Sequence, residues 1–342
     1  MKLKVFFAAA LLCVVHTTLA ETVLRYTDHE PLGNMRTKLI NDVFFKAIEQ
    51  ESQSRIRVEA HWNGELSVSY DALKTIGEGQ KADIGIVVPE YTPEQLPRFQ
   101  IFKSFPLGPD NGEKQVQFFH NVFATIPQFS AELAANNLVN LQFFLGYPAA
   151  FFSTTPSLKY DDLKNTTWRT ASFWHQSYLE NAGAKVVKMP WNEKITEALR
   201  EGKLNGLFVN LDSGDDIKAW QAAKNIGVSQ RLWLGHVYLL VMNKALWESL
   251  TPQDKAAIQR AAARTEKILG STLDTRLTDM VSNMNTHGAD AHYLTPRELE
   301  SWQSISHYQA VQADWITQQQ AKGITNIAEV LDAVQAQLKA VE

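Results

Sequence analysis

The stretch from Leu163 to Asn210, LKNTTWRTASFWHQSYLENAGAKVVKMPWNEKITEALREGKLNGLFVN, admits few folds. Its apolar pattern alternates strand, helix, strand, helix, strand. Ser177 to Asn181 belongs to a helical pattern and Lys185 to Lys188 to a short strand. Pro190-Trp191-Asn192 is a break, Glu193 to Glu201 a compact helix closed by Gly202, and Leu204 to Val209 a buried apolar strand. Such alternation predicts an α/β fold with a parallel sheet and crossover helices. Ligands of such sheets sit at the C-terminal ends of the strands. Arg169 and Asn210 fall near two of those ends, and Trp191 just after another.

The chain opens Met1-Lys2-Leu3-Lys4, continues with an apolar run from Val5 to Val15, and reaches Thr17-Thr18-Leu19-Ala20. A basic start, a short apolar core and a small residue before the cut read as a secretory signal peptide, residues 1–20. The run is too short to span a bilayer. Removing 20 of 342 residues leaves 322, and losing Lys2 and Lys4 moves the net charge from −4 to −6. That mild acidity gives no reason to expect nucleic acid as a partner. The single cysteine, Cys13, lies in the leader, so the mature chain is expected without disulfides, thiol nucleophiles or zinc–thiolate sites. A chain of this size is long enough for two domains.

Before the central stretch, Val23 to Tyr26, Arg55 to Ala60 and Ala82 to Val88 read as strands. A helix starting at Asn34 and a short one capped by Ser69 and stopped at Gly77 separate them. A strand from Val139 to Leu145 leads out of this first lobe, and Val237 to Asn243 is apolar enough to return to it. At least two connections then join two lobes, as a clamshell needs. Lobe I is expected to hold 21–146 and 235–274, lobe II 147–234 and 275–342. Thr251-Pro252-Gln253-Asp254 and Thr295-Pro296-Arg297-Glu298 each combine a cap, a proline at the first helical position and an acid three residues on. They open long C-terminal helices, the second pattern running to about Gln320, and Ile327 to Val341 forms a last one.

Several ordered motifs carry a family resemblance. Leu163-Lys164-Asn165-Thr166-Thr167-Trp168-Arg169 stands where that family has Leu-Lys-Gly-hydrophobic-Lys-hydrophobic-Arg. Gly183-Ala184 through Met189-Pro190-Trp191-Asn192-Glu193 matches its GA…MPW.E segment, and Ala198-Leu199 through Asn205-Gly206 its AL..G..DG segment. Trp62-Asn63-Gly64-Glu65-Leu66 is similar to its GGELG turn, and His236-Val237-Tyr238 with Trp247 to Pro252 to its H.Y…W..L segment. The chain therefore resembles the periplasmic solute-binding component of tripartite ATP-independent periplasmic (TRAP) transporters, over most of its mature length. The resemblance implies a two-lobed, type II-like periplasmic binding protein with hinge strands. It also implies a small-molecule ligand, an ion-gradient-driven uptake system, and two membrane subunits as partners. No cofactor or metal is expected, and a monomer is.

In that family the arginine at the place of Arg169 forks onto a ligand carboxylate. A planar guanidinium suits this task because two parallel N–H···O bonds fix orientation as well as charge. Many members carry another arginine about 20 residues upstream, where Gly146-Tyr147-Pro148-Ala149-Ala150 stands here. Where acid or amide residues often follow the DG pair, this chain has Leu207-Phe208-Val209-Asn210. Both departures favour a monocarboxylate with an apolar or aromatic body. The candidate ligand-binding residues are Arg169, Asn210, Trp191, Glu65, Asp28, His29, Tyr238, Asp212, Phe208 and Trp168. Asn210 reads equally as a turn residue, the tryptophans as packing groups, and Asp28, His29 and Glu65 as solvated loop polars. An acid that does face the ligand, whether Asp28, Glu65 or Asp212, would call for an amine on it.

Enzyme motifs are missing. Gly77-Glu78-Gly79 lacks the third glycine and the preceding strand of a dinucleotide fingerprint, and no G-x-S-x-G, P-loop or H-E-x-x-H occurs. The nine histidines show no metal-ligand spacing. The alternatives are a receptor of an ATP-driven uptake system, a receptor for a small amine and, in another class, a periplasmic hydrolase.

Overall fold

The computed structural model describes residues 21–156, 159–189 and 194–341. The expected leader, with Cys13, lies outside these described residues. Two sheets organise the rest. The first has five strands, β1 (Thr22–Thr27), β2 (Ile56–His61), β3 (Ile84–Val87), β4 (Leu138–Leu145) and β10 (Val237–Asn243), in the order β2-β1-β3-β10-β4. The second has six, β5 (Ala149–Ser153), β6 (Thr167–Arg169), β7 (Lys185–Val187), β8 (Gly206–Asn210), β9 (Asn225–Val228) and β11 (Asp290–Tyr293), in the order β11-β9-β5-β8-β6-β7.

The strands expected from hydrophobic runs form, with ends shifted by a residue or two. As expected of crossover units, β6 pairs parallel with β7 and β8, and β1 parallel with β2 and β3. β10 returns to the first sheet and runs antiparallel to β3 and β4. Strands β5, β9 and β11 were not anticipated. β5 and β9 are buried runs of four or five residues, too short for a period to show, and β11 is a polar edge strand.

Three connections join strands of one sheet to strands of the other among the described residues. β4 leads to β5 through Gly146-Tyr147-Pro148, and β9 returns to β10 through residues 229–236. These two crossings lie side by side: Gly146 N–H donates to the His236 carbonyl at 3.1 Å and Ala149 N–H to that of Leu232 at 3.0 Å. Gly235 has φ +58°, and a Cβ there would lie 2.0 Å from the Phe102 carbonyl oxygen, so this crossing admits only glycine. The third crossing is the helix Pro252–Thr286, which packs on β4 at one end and on β11 at the other.

The boundary drawn between residues 274 and 275 therefore falls inside one continuous helix. Residues 275–342, expected together in the second lobe, also divide. Helix Ile327–Ala340 packs on Gly112–Thr125 beside the first sheet, while Tyr308–Ala321 touches Phe173–Asn181 and the 3₁₀ segment Arg98–Ser104. The helical pattern from Pro296 is broken at His307, whose φ of 45° ends helix Pro296–Ile305. The short first-lobe helix runs Ala72–Glu78 and is closed by Gly79 at φ 68°, two residues later than expected.

Both caps predicted from Thr-Pro-x-acid form. At Thr295 the box is reciprocal: its Oγ1 accepts from Glu298 N–H at 3.3 Å, and Glu298 Oε2 accepts from Thr295 N–H at 2.8 Å. Thr295→Ala is expected to cost about 1 kcal/mol, because the Glu298 amide loses its acceptor and the Glu298 carboxylate loses the Thr295 hydroxyl that holds it over the cap. A urea titration showing a loss below about 0.3 kcal/mol would deny the cap that role.

Two aromatic cores hold the layers. Phe99, Phe102, Phe118, Phe119 and Phe129 pack edge-on or stacked beside the first sheet. Phe151, Trp168, Phe208 and Trp302 do so against the second. Among the described residues no helix is long and apolar enough to cross a membrane.

Candidate functional site

The candidate groups lie at strand ends and in the loops that follow them, in both sheets. From the second lobe, Arg169 closes β6, paired in register with Val187 of β7 and Leu207 of β8. It is 6% exposed. Its Nε and Nη2 donate to the Met189 carbonyl at 3.3 and 3.1 Å, which fixes the plane of the guanidinium. Burial pulls its pKa below the usual value, yet an arginine remains charged. Asn210 ends β8 opposite Ala149 and is half-buried. Two residues on, Asp212 keeps part of its surface, but its Oδ1 is buried and has no hydrogen-bond partner. Burial, with Asp216 and Glu30 nearby, pushes its carboxyl up to about 7 against an opposing hydrogen bond from the Ser213 amide.

From the first lobe, the loop after β1 supplies Asp28, His29 and Glu30. Asp28 is fully buried and committed to protein partners. Arg36 Nη1 and Nη2 donate to its two oxygens at 2.5 and 3.0 Å, and the Tyr26 hydroxyl donates at 2.5 Å. Burial pushes the Asp28 carboxyl up, but the guanidinium, the Tyr26 hydroxyl and the Glu30 amide outweigh it and hold it below the usual range. Arg36 also pairs with Glu30 at 2.8 Å and lies over the Tyr238 ring at 4.5 Å. His29 sits edge-on to Tyr91, and burial outweighs Asp28 and Glu30 to hold it neutral. Tyr238 itself lies within the field of groups from both lobes, Glu30 and Arg36 on one side and Asp212 on the other.

The hinge adds a cluster that the sequence did not signal. Lys103 contacts the Glu90 carboxylate, and burial pushes its ammonium down to about 7 while that contact opposes the loss of charge. His236, at a crossing, lies with Nδ1 3.2 Å from Glu90 Oε1, yet neither ring nitrogen has a hydrogen bond of proper geometry. Burial and the cations Lys103 and Arg36 keep it neutral. Lys103 and Glu90 are isolated charges in an apolar and 3₁₀ context, so only the fold reveals that they meet. The cavity they line with His236 measures about 10 Å³, too small for an organic acid.

Across the lobes, the Tyr147 hydroxyl donates to Met35 Sδ at 3.4 Å. Tyr147, Asp212 and Tyr238 thus gather around Arg36 and Glu30, on the side of the second sheet where Arg169 ends its strand.

Not every sequence candidate joins them. Trp168 alternates inward from Arg169 and is wholly buried, its Nε1 donating to Thr166 Oγ1 at 2.8 Å. Phe208 likewise points into the core, 4.5 Å from the Phe151 ring and 5.3 Å from that of Trp302. In a strand successive side chains take opposite faces, which sends Trp168 away from Arg169; Phe208 shares the face of Asn210 but lies one pleat further in, under Trp302. Glu65 is exposed and accepts from His61 at 2.8 Å. Trp191 lies outside the described residues.

Two α/β lobes, three crossings and polar groups converging from both sides define an extracytoplasmic binding-protein architecture. The chain belongs to the bacterial extracellular solute-binding proteins, family 7, whose family model matches residues 32–315. A solute-binding protein of Chromohalobacter salexigens is 24% identical over 229 residues, which span 64% of each chain. A TRAP periplasmic solute-binding protein of Desulfovibrio salexigens superposes with TM-score 0.79 at 20% identity, covering 93% of this chain and 96% of that one. A marine-metagenome TRAP solute-binding protein specific for aromatic acid ligands does so with TM-score 0.76 at 21% identity, covering 94% and 100%. The fold is that of these TRAP binding proteins, and the chain is a binding protein. The hydrolase alternative falls with this assignment.

Proposed function

We propose that this chain is the periplasmic receptor of a TRAP transporter, closing around one small organic acid whose carboxylate meets Arg169. The observation that carries the reading is Arg169 itself: a buried guanidinium oriented at the C-terminal end of a central parallel strand. That is where ligands of α/β sheets sit, and a desolvated arginine fork is made for a carboxylate. The ligand is a monocarboxylate with an apolar or aromatic body, since Gly146 to Ala150 offers no second guanidinium. A relative of the same fold is specific for aromatic acids, which supports this class. The leader at 1–20 delivers the chain to the periplasm. There a small and a large membrane subunit recognise the closed form, and a monomer suffices. Closure is favoured by the ligand only through contacts with both lobes, so Tyr238 and the His29–Glu30 loop complete the site from the first. The lobes comprise 21–146 with 235–251 and the last helix, Ile327–Ala340, and 147–234 with 287–326, while the helix Pro252–Thr286 is shared.

The test is a thermal-shift screen of the mature protein, unfolded and refolded to strip carried-over solutes. The panel holds aliphatic, sugar-derived and aromatic carboxylates. A ligand at a hundredfold over its Kd adds about 2.7 kcal/mol, enough to raise Tm by several degrees. Hits among monocarboxylates support the reading. Hits confined to neutral sugars or cations lacking a carboxylate would overturn it.

A further inference from the structure

We infer that Tyr91 and Tyr70 of the first lobe form a wall that receives the ring of an aromatic acid, and that they set a preference for such acids over saturated ones. This rests on the receptor reading, in which Arg169 takes the carboxylate, and names the groups that take the other end.

Strands β2, β1 and β3 lie side by side and parallel, so the segments that follow them share one edge of the first sheet. That edge, at the C-terminal ends of parallel strands, is where α/β sheets hold their ligands. The loop after β1 carries His29, the 3₁₀ turn Ser69–Asp71 in the segment after β2 carries Tyr70, and the 3₁₀ turn Pro89–Tyr91 follows β3. Tyr91 meets Tyr70 with ring centroids 4.8 Å apart and planes inclined at 46°. It meets the His29 ring edge-on, at 6.0 Å and 89°. One row of rings thus crosses the ends of all three strands. The loop that carries His29 leads into Met35, whose sulfur accepts from the Tyr147 hydroxyl of the second lobe, so the row lies beside a contact between the lobes.

Exposure singles out the same edge. Six large apolar side chains stand exposed among the described residues, and three of them, Leu32 (46%), Val68 (55%) and Tyr70 (68%), lie on the segments after β1 and β2. Single exposed apolar groups need no explanation, but several gathered at one edge mark a binding surface. The wall is also rigid. Pro89 fixes the start of its turn, the Tyr91 N–H donates to the Val88 carbonyl at 3.0 Å, and the Asp71 N–H donates to that of Val68 at 3.0 Å. Rings set in place before binding lose little freedom on contact.

An aromatic ring has a negative face and a positive edge, so ring-on-ring contacts in offset or edge-on geometry gain more than burial alone. Two rings inclined to each other can offer a third both a face and an edge. A saturated ring of the same size gains the burial without the electrostatic part. The contact also gives the ligand a partner on the first lobe, without which it could not favour closure.

The experiment is calorimetric titration with acids that differ only in the ring: benzoate against cyclohexanecarboxylate, and phenylacetate against cyclohexylacetate. Butyrate and glucuronate serve as acids without such a ring. Wild type, Tyr91→Leu, Tyr91→Phe and Tyr70→Ala are compared, with the ligand-free Tm of each measured alongside. Wild type is expected to prefer the aromatic member of at least one pair by roughly tenfold. Tyr91→Leu keeps an apolar surface, so it should bring the preference within about twofold while the saturated member binds nearly as before, and Tyr91→Phe should retain the preference. Tyr70→Ala, at an exposed position where substitution leaves stability nearly unchanged, should reduce the preference about threefold. A merely structural role for either tyrosine would weaken both members of a pair alike. That result, equal binding of both members by wild type, or a preference that survives Tyr91→Leu and Tyr70→Ala would overturn the wall and leave the receptor reading intact. Wild type that takes none of the ring acids would overturn the wall as well. The receptor reading then stands if butyrate or glucuronate binds, and falls with it if neither does.

Discussion

Arg169→Ala is expected to weaken binding of the cognate acid by roughly 3–5 kcal/mol, a loss of roughly a hundredfold to several thousandfold. Each charge-assisted hydrogen bond to a carboxylate contributes about 1.5–3 kcal/mol, and a forked pair supplies two. The loss is large because the carboxylate would stay in a closed cleft without a counter-charge. Arg169→Lys should fall between, since a lysine restores the charge but not the planar fork. The substitution also removes two hydrogen bonds to the Met189 carbonyl, so the segment after β7 loses an anchor. Comparing ligand-free stability with affinity separates the two effects: a fall in affinity far beyond the fall in stability identifies ligand contact. Affinity within twofold of wild type would exclude Arg169 from the site.

Asp28→Asn is expected to cost about 3–5 kcal/mol of folding stability at pH 7. Arg36 is 3% exposed and Asp28 fully buried, so the amide would leave a buried guanidinium short of its main counter-charge. Glu30 would retain part of the pairing, which places the effect toward the lower end. The pH dependence follows from the depressed carboxyl. The stabilisation is present above the unfolded value of about 3.9 and is lost as pH falls through the lower folded one. Wild type should therefore lose stability steeply in that acid range, and Asp28→Asn less so. Urea titrations at pH 7 and pH 3 measure both. A variant as stable as wild type at pH 7 would mean that the pair contributes nothing, and would return Asp28 to the ligand.

These two residues also show how far the sequence could be read. Arg169 stands out in it because a strand of three residues, a helix and another strand bracket it, which puts its side chain at a strand end by spacing alone. Asp28 reads there as a loop polar, and nothing in the thirty residues around it says that Arg36 will fold back onto it. Trp168 and Phe208 fail for a local reason. A motif names a neighbourhood, but the pleat turns Trp168 to the face opposite its neighbour Arg169, and Phe208 lies inward of the strand end where the apolar core begins. The pair Glu90 and Lys103, and the approach of Tyr147 to Met35, have no sequence signature. Their partners lie on separate elements, 13 and 112 positions apart, and the second pair spans two lobes.

Local physics in the sequence determined the strands, the Thr-Pro helix starts, the parallel order of β8, β6 and β7, and the return of β10. Each depends on a hydrophobic period, a cap or a turn residue that acts within a few positions. Tertiary structure alone decided which lobe each C-terminal helix supports, which acids are neutralised by an arginine and which are buried without a counter-charge. Charge pairing and burial depend on distance in space, and the chain sets that distance only once both sheets and the three crossings between them are in place.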